Sequence, residues 1–277
     1  MNRLKIERYY PKHPLLRKTI KYFWVQKSSR PLILNHKLLP VNNIDIVLNF
    51  SAPTVYKYDG VKTTVPRFSF NGIRNQYCTL RQTGPVHSIG ISFLPHGLYP
   101  LLKIPLSEFE DKTVDLQTAI SEFSSKLEIE LYPVRKTIET LAILEDCLVE
   151  FINPELILDT SLQNLFRMLA SGLENNSDLT TFCERHGIHQ KKLERIFNQY
   201  VGVSPKRFFR ISRFNSMVNQ IIDKKYDDFT TLAHARSFYD QSHFIKEFKR
   251  FSGSSPSLFV KEKQSIKEMM SIFYKPY

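Results

Sequence analysis

Two segments of this chain are variants of one pattern. Asp178-Leu179-Thr180-Thr181-Phe182-Cys183 returns 50 residues later as Asp228-Phe229-Thr230-Thr231-Leu232-Ala233, and Gly202-Val203-Ser204-Pro205 returns 51 residues later as Gly253-Ser254-Ser255-Pro256. Between these anchors Ile188, Leu193 and Phe197 correspond to Phe238, Phe244 and Phe248. A period of this length marks a duplicated supersecondary unit. Each copy reads as helix, tight turn, helix. Asp178 and Asp228 suit N-caps, because a carboxylate accepts the orphan N–H groups of a first helical turn. The turns fall at Gly187-Ile188 and Ser237-Phe238, and Gly187 tolerates a left-handed backbone angle that Ser237 adopts only at some cost. Leu193 with Phe197, and Phe244 with Phe248, are four apart and so face inward together.

The opposite faces of the two second helices are polar. The first offers Gln190, Lys191, Glu194 and Arg195, the second Gln241, Ser242, His243 and Lys246. Amide, hydroxyl and cationic side chains are those that hydrogen-bond to base edges, and a major groove admits a helix. Around them Lys192, Lys206, Arg207, Arg210, Arg213, Lys249 and Arg250 suit phosphate contacts, which fix register without reading sequence. One such face is explained equally well by solvent; two equivalent faces in one repeat point to double-stranded DNA. Between the units Ser204 caps a helix with Pro205 at its first position, Phe208, Ile211, Val218 and Ile222 as its buried stripe, and Lys224 and Lys225 near the negative end of its dipole. From Ser204 to Lys224 is roughly 21 residues, a rod on the order of 30 Å. One turn of duplex is about 34 Å, so the rod spaces two recognition helices for successive major grooves.

The first half has period two. Ile44, Ile46, Leu48 and Phe50 alternate with Asp45, Val47 and Asn49, and Ile89, Ile91 and Phe93 with Gly90 and Ser92, which predicts half-buried strands between Tyr22 and Leu106. Asp59-Gly60 suits a two-residue hairpin turn. A small antiparallel β domain follows, with Trp24, Phe68, Phe70 and Tyr77 expected as core, or enclosing a small-molecule effector if the sheet closes into a barrel with a lumen. His36, His87 and His96 match no metal-ligand spacing, and no cofactor is expected. After Asp115 the period is helical. Val134, Ile138, Leu141, Leu148 and Ile152 form a stripe beginning after Pro133, Asn153-Pro154 breaks it, and a second run from Leu158 to Leu173 ends near Gly172 and the polar Asn175, Asn176 and Ser177. These helices join the halves or form a dimer contact. The expected fold is therefore α+β: a β-rich sensor or regulatory domain over 1–115, connecting helices over 116–173, an all-α double helix-turn-helix domain with a long linker helix over 174–265, and a tail over 266–277.

The balance of 39 Lys plus Arg against 27 Asp plus Glu, a formal charge of +12, favours a polyanionic partner, and 42% apolar residues suffice for a folded core. Cys78, Cys147 and Cys183 are odd in number, far apart and without a C-x-x-C pair, so neither a disulfide framework nor a zinc knuckle is predicted, and a reducing cytoplasm fits. The opening MNRLKIERYYPKHP precedes no apolar run of signal-peptide length, and no window reaches the roughly 18 apolar residues of a membrane span.

At this point the residues resemble the paired helix-turn-helix domain of the AraC/XylS family of bacterial transcription regulators. LERIFNQYVGVSPKRFFRISRF, residues 193–214, looks like the first recognition helix and linker, and FYDQSHFIKEFKRFSGSSPSLF, residues 238–259, is similar to the second-unit signature. The likeness spans residues 174–262. It implies that Lys191, Glu194, Arg195, Gln241, Ser242, His243 and Lys246 face bases, that RNA polymerase is a partner, and that the amino-terminal region senses a small molecule or pairs protomers as a homodimer. Ser237 stands where the family usually has Gly, and His189 where it usually has a capping Ser or Thr, a replacement that weakens a cap by about 1 kcal/mol. ERYYPKHPLLRKTIKYFW, IDIVLNF and SIGISFLPHGLYPLL are similar to poorly characterised domains that precede such pairs.

The function expected is a sequence-specific transcription regulator. The rival is an enzyme, such as a thiol-based DNA-repair alkyl acceptor using the helical pair only to hold DNA, for which Cys78 is the one candidate nucleophile. A helical scaffold that binds protein and never DNA is the third reading.

Overall fold

The computed structural model describes residues 4–132, 136–171, 179–223, 228–234 and 241–261. The described residues include ten strands, the last of them after the first helix: β1 (Leu4–Tyr9), β2 (Ile20–Ser28), β3 (Leu32–Leu38), β4 (Asp45–Asn49), β5 (Thr54–Tyr58), β6 (Val61–Thr64), β7 (Phe68–Asn71), β8 (Cys78–Gly84), β9 (His87–Phe93) and β10 (Thr113–Asp115). They form two antiparallel sheets, a six-stranded one in the order β1-β2-β9-β4-β7-β10 and a four-stranded one in the order β3-β8-β5-β6. The Asp59-Gly60 turn is where the sequence places it: Tyr58 pairs with Val61, and both turn residues have positive φ, 47° and 81°.

Alternation along the strands has an unexpected meaning. Ile46, Leu48, Phe68, Phe70, Ile89 and Ile91 share one face of the larger sheet and join a hydrophobic core with Leu116, Phe123, Leu144 and Phe166 from the helices. The polar positions of the same strands do not form a solvated face: Asn49, Ser69 and Ser88 are buried and Asp45 is half-buried. With Trp24 they line a cavity of about 150 Å³ whose other wall is the smaller sheet, through Tyr56, Leu80 and Gln82. Trp24 thus lines a lumen, whereas Phe68 and Phe70 are core and Tyr77 lies at the contact with the carboxyl-terminal half. Gly90 makes this possible, since a Cβ there would lie 1.8 Å from the Trp24 indole.

Helices follow: α1 (Tyr99–Leu102), α2 (Leu116–Ala119), α3 (Ser121–Glu130), α4 (Thr137–Phe151), α5 (Thr160–Ser171), α6 (Leu179–Arg185), α7 (Gln190–Tyr200), α8 (Pro205–Asp223), α9 (Phe229–His234) and α10 (Gln241–Ser252). In α4 Leu141, Leu144, Cys147 and Leu148 are buried, but Ile138, in the first turn, is 58% exposed and leaves the predicted stripe. Pro133, Val134 and the Asn175-Asn176-Ser177 cluster lie outside the described residues. Helix α5 packs within the chain: Phe166 stacks on Phe197 with ring centroids 4.8 Å apart and meets His96 at 5.4 Å.

His96 is 3% exposed, and burial pushes its pKa down from 6.5 to about 4. The folded state therefore requires the neutral ring, while the unfolded chain takes a proton first. Stability is complete above pH 6.5 and falls as pH drops toward 4, by about 3 kcal/mol in all. Urea unfolding across that window should show the loss, and His96→Leu should flatten it.

Candidate nucleic-acid interface

The repeat folds as two helix-turn-helix units on one helix. In the first, Gly187 adopts φ +62° and the Ile188 N–H donates to the Cys183 carbonyl at 3.0 Å, turning α6 into α7. In the second, the Asp228 carboxylate accepts from the Thr231 N–H at 2.8 Å and its hydroxyl at 2.9 Å, the predicted cap. Its counterpart Asp178, the Ser237-Phe238 turn, and Lys224 and Lys225 lie outside the described residues. His189 precedes α7 without a side-chain cap. Ser204 caps α8, accepting the Arg207 N–H at 3.3 Å, and Pro205 is the first residue of the helix.

Aromatic contacts divide α8 between the units. Phe208 meets Phe197 at 5.3 Å and Phe209 meets Phe182 at 5.7 Å, fixing the first unit on the amino-terminal half. Phe214 meets Phe248 at 5.3 Å and Phe251 at 5.0 Å, fixing the second further along. At 19 residues, α8 is a strut about 28 Å long.

The polar faces of α7 and α10 remain outside. Gln190, Lys191, Lys192 and Arg195 are exposed and Glu194 is half-buried, with Gln190 Nε2 donating to Glu194 Oε1 at 2.9 Å. Gln241, Ser242, His243, Lys246, Lys249 and Arg250 are exposed on α10, and Lys206 on α8.

Three predicted phosphate contacts sit differently. Arg210 Nε and Arg213 Nη2 donate to the two oxygens of Glu247 at 2.9 and 2.6 Å, and the Glu247 side chain is only 3% exposed. Arg207 turns toward the β domain, pairing with Glu110, lying 3.5 Å from Asp111 Oδ2 and donating to the Ile73 carbonyl at 3.3 Å. Desolvation lowers the Arg207 pKa to about 10, which leaves it charged at neutral pH.

Sequence reasoning missed Glu247 and the contacts between halves. Asn42 Nδ2 donates to the Phe208 carbonyl at 2.9 Å and to Ser212 Oγ at 2.6 Å, and Gln199 Nε2 donates to the Tyr99 hydroxyl at 2.6 Å. The repeat glycines press on the same domain: a Cβ on Gly202 would lie 2.4 Å from the Leu106 carbonyl oxygen, and one on Gly253 would lie 2.3 Å from the Tyr77 ring. A signal existed for Glu247, which falls with Phe244, Phe248 and Phe251 on one helical stripe, where a carboxylate needs cationic partners.

Among the described residues no group of three or more His, Cys, Asp or Glu side chains could hold a metal ion. All three cysteines are buried and free. Cys78 is 0% exposed, and desolvation raises its pKa, the reverse of an activated thiolate. Among the described residues no helix is long and apolar enough to cross a membrane.

Two exposed polar helices, each the second of a helix-turn-helix pair and both carried on one strut, define a DNA-binding protein of the paired helix-turn-helix class. Residues 182–262 match the family model described as a helix-turn-helix domain, and residues 7–115 match one described as a domain of unknown function, DUF6597. The carboxyl-terminal part of the chain therefore carries a helix-turn-helix domain. No curated protein matches it in sequence. Among solved structures it is similar to ToxT from Vibrio cholerae, at 10% identity and a TM-score of 0.45 over 84% of this chain and 98% of that one. Wild-type ToxT from strain SCE256 bound to an unsaturated fatty acid gives 9% and 0.41 over 84% and 96%. The AraC-like transcriptional activator CuxR gives 15% and 0.28 over 78% and 87%.

Proposed function

We propose that the protein binds promoter DNA by placing α7 and α10 in successive major grooves, and that its β domain senses a small molecule and sets how the two units are held. The observation that carries this is the pair of equivalent exposed faces on the single strut α8. Gln190, Lys191, Glu194 and Arg195 read one set of base edges and Gln241, Ser242, His243 and Lys246 the other. Lys192, Lys206, Lys249 and Arg250 meet phosphates. Arg210 and Arg213 act through Glu247 to orient α10, and Arg207 holds the β domain against α8. RNA polymerase is the partner such a regulator would engage once bound, in the cytoplasm; pairing of protomers would add a second copy of both reading heads.

Selection of bound fragments from a genomic pool supplies the duplex for the test. Footprinting should protect about two helical turns per protomer; protection of a single turn refutes the arrangement. Four phosphate contacts imply an affinity loss of about a hundredfold between roughly 50 and 200 mM salt. Arg195→Ala and Lys246→Ala should each lower the preference for selected over random duplex by about tenfold, and an unchanged ratio rejects them as base readers.

A further inference from the structure

The four strands of the smaller sheet contain no Asp or Glu. Their side chains alternate between the lumen and the outside. Leu38, Thr54, Tyr56, Leu80 and Gln82 line the lumen, so Lys37, Lys57, Thr79 and Arg81 face the other way. Cross-strand partners share a face, and the pairings Lys37↔Thr79, Thr79↔Lys57 and Lys57↔Lys62 carry one row across all four strands. Arg81 stands in the next row, between Asn35 and Val55. Lys57, Lys62 and Arg81 are exposed, and among the described residues no carboxylate pairs with any of the three. Asp59 sits in the turn between β5 and β6, beyond the end of the row. Like charges placed directly opposite, as at Lys57 and Lys62, destabilise a sheet. Lysine on an edge strand guards against edge-to-edge pairing, which accounts for Lys62 on β6 and Lys37 on β3. It does not account for Lys57 and Arg81, on the inner strands β5 and β8. A polyanionic partner accounts for all four.

The face adjoins the second reading unit. Lys37 Nζ lies 5.2 Å from the centroid of the Tyr77 ring, and on that ring presses Gly253, just past the end of α10. The last turn of α10 carries Lys249 and Arg250, both exposed. A second line of contact runs through α8. Arg207 lies 3.5 Å from Asp111 Oδ2, the other oxygen of Asp111 accepts the Tyr58 hydroxyl at 2.5 Å, and Tyr58 follows Lys57 on β5. Cations therefore continue from the end of α10 onto the sheet. Strands lie about 4.8 Å apart, so the row from Lys37 to Lys62 is about 14 Å long. The charges of one DNA strand recur every ~3.4 Å along the axis, so such a row faces about four phosphates. Continuity with a DNA-reading helix favours duplex over any other polyanion.

We propose that the outer face of the smaller sheet, through Lys57, Lys62 and Arg81 with Lys37 behind them, holds the phosphate backbone of the duplex flanking the site read by α10. This rests on the reading of α7 and α10 as DNA-binding helices and extends the DNA interface to a domain that has no helix-turn-helix. Cations on a flat sheet reach phosphates and not base edges, so the contact adds affinity without sequence preference.

Two duplexes test this: a selected site trimmed to about two helical turns, and the same site with about ten base pairs of arbitrary sequence added at each end. The full chain should bind the extended duplex about tenfold more tightly than the trimmed one at roughly 100 mM salt, and log affinity should fall more steeply against log salt. Lys57→Gln, Lys62→Gln and Arg81→Gln together should lower that slope on the extended duplex by about 2.7, at about 0.9 for each phosphate contact, and cancel the tenfold advantage. Affinity for the trimmed duplex and the preference for selected over random sequence should stay within about twofold. Lys57→Gln and Arg81→Gln singly, each lowering the slope by about 0.9, keep the test valid if the triple variant fails to fold. Lys12→Gln, Lys18→Gln and Lys27→Gln together, at exposed lysines outside the smaller sheet, remove the same charge and should leave the advantage intact. An undiminished slope in the first set of variants, an equal loss in the second, or an equal loss on the trimmed duplex each overturns the proposal. So does a first triple variant that keeps its duplex affinity but no longer binds vesicles of phosphatidylserine and phosphatidylcholine, which gives the face to lipid. Failure of the unaltered chain to bind any selected duplex overturns the DNA reading itself, and it is distinct because it shows before any variant is compared.

Discussion

Glu247→Ala should lower the unfolding free energy by about 3 kcal/mol and loosen the second helix-turn-helix unit from its strut. Glu247 is 4% exposed on a face of α10 that otherwise presents Phe244, Phe248 and Phe251. A carboxylate is tolerated at that depth because each oxygen meets a different arginine of α8, Arg210 at 2.9 Å and Arg213 at 2.6 Å. Removing it leaves two guanidinium groups beside an apolar gap, and breaking a buried pair in this way costs about 3–5 kcal/mol. The lower figure applies because the Arg210 side chain is 33% exposed and regains water, whereas Arg213, at 16%, does not. Replacing the triad together, with Glu247→Leu, Arg210→Met and Arg213→Leu, should recover most of the loss, since apolar side chains of similar volume substitute well for buried charges. Urea unfolding of the full chain separates these cases. A cost under about 1 kcal/mol for Glu247→Ala would mean that the pairs are screened as surface pairs are. The same variant should weaken DNA binding more than loss of any one exposed α10 side chain, because it disturbs the helix that presents Gln241, Ser242, His243 and Lys246 together.

These three residues also mark where reading from sequence stops. A repeat, a helix with Ser204 and Pro205 at its start, and an Asp-Gly hairpin are local patterns, and the structure has them at Asp228, at α8 and between Tyr58 and Val61. The partner of a cation is not local. Arginine at intervals along a helix has the same pattern whether it meets phosphate or a carboxylate 34 or 37 residues away. The strands show the same limit. Asp45, Asn49 and Ser88 alternate with apolar neighbours as a solvated face would, and only the placement of β5 and β8 opposite them turns that face into a lumen. Phe68 and Phe70 share the phase of Ile46 and Leu48 across the β4–β7 pairing and are therefore core, while Trp24 lies on the opposite face. Tyr77 has a role that needs the carboxyl-terminal half in place.

That role leads to the second large expected effect, on the glycines of the repeat. Gly187, Gly202 and Gly253 have φ of +62°, +86° and +74°, where an L side chain costs about 1–2 kcal/mol whatever surrounds it. Their surroundings differ in a way that makes one the control for the others. A Cβ on Gly187 would meet nothing within 4 Å, so Gly187→Ala should cost the backbone strain alone, about 1 kcal/mol. A Cβ on Gly202 would lie 2.4 Å from the Leu106 carbonyl oxygen, which belongs to a 3-10 turn of the β domain and cannot swing aside. Gly202→Ala should therefore cost about 3 kcal/mol or more and push the first unit off that domain. A Cβ on Gly253 would lie 2.3 Å from the Tyr77 ring, a side chain that can rotate away at the loss of its packing, so an intermediate cost of about 2 kcal/mol is expected. In a Tyr77→Ala background the Gly253→Ala penalty should shrink toward that of Gly187→Ala, a coupling of about 1 kcal/mol in a double-mutant cycle. Because Gly202 and Gly253 are equivalent positions of the repeat, the two clashes mean that one β domain braces both reading units at the same point. Equal costs at all three glycines would remove that brace and leave α8 alone to set their spacing.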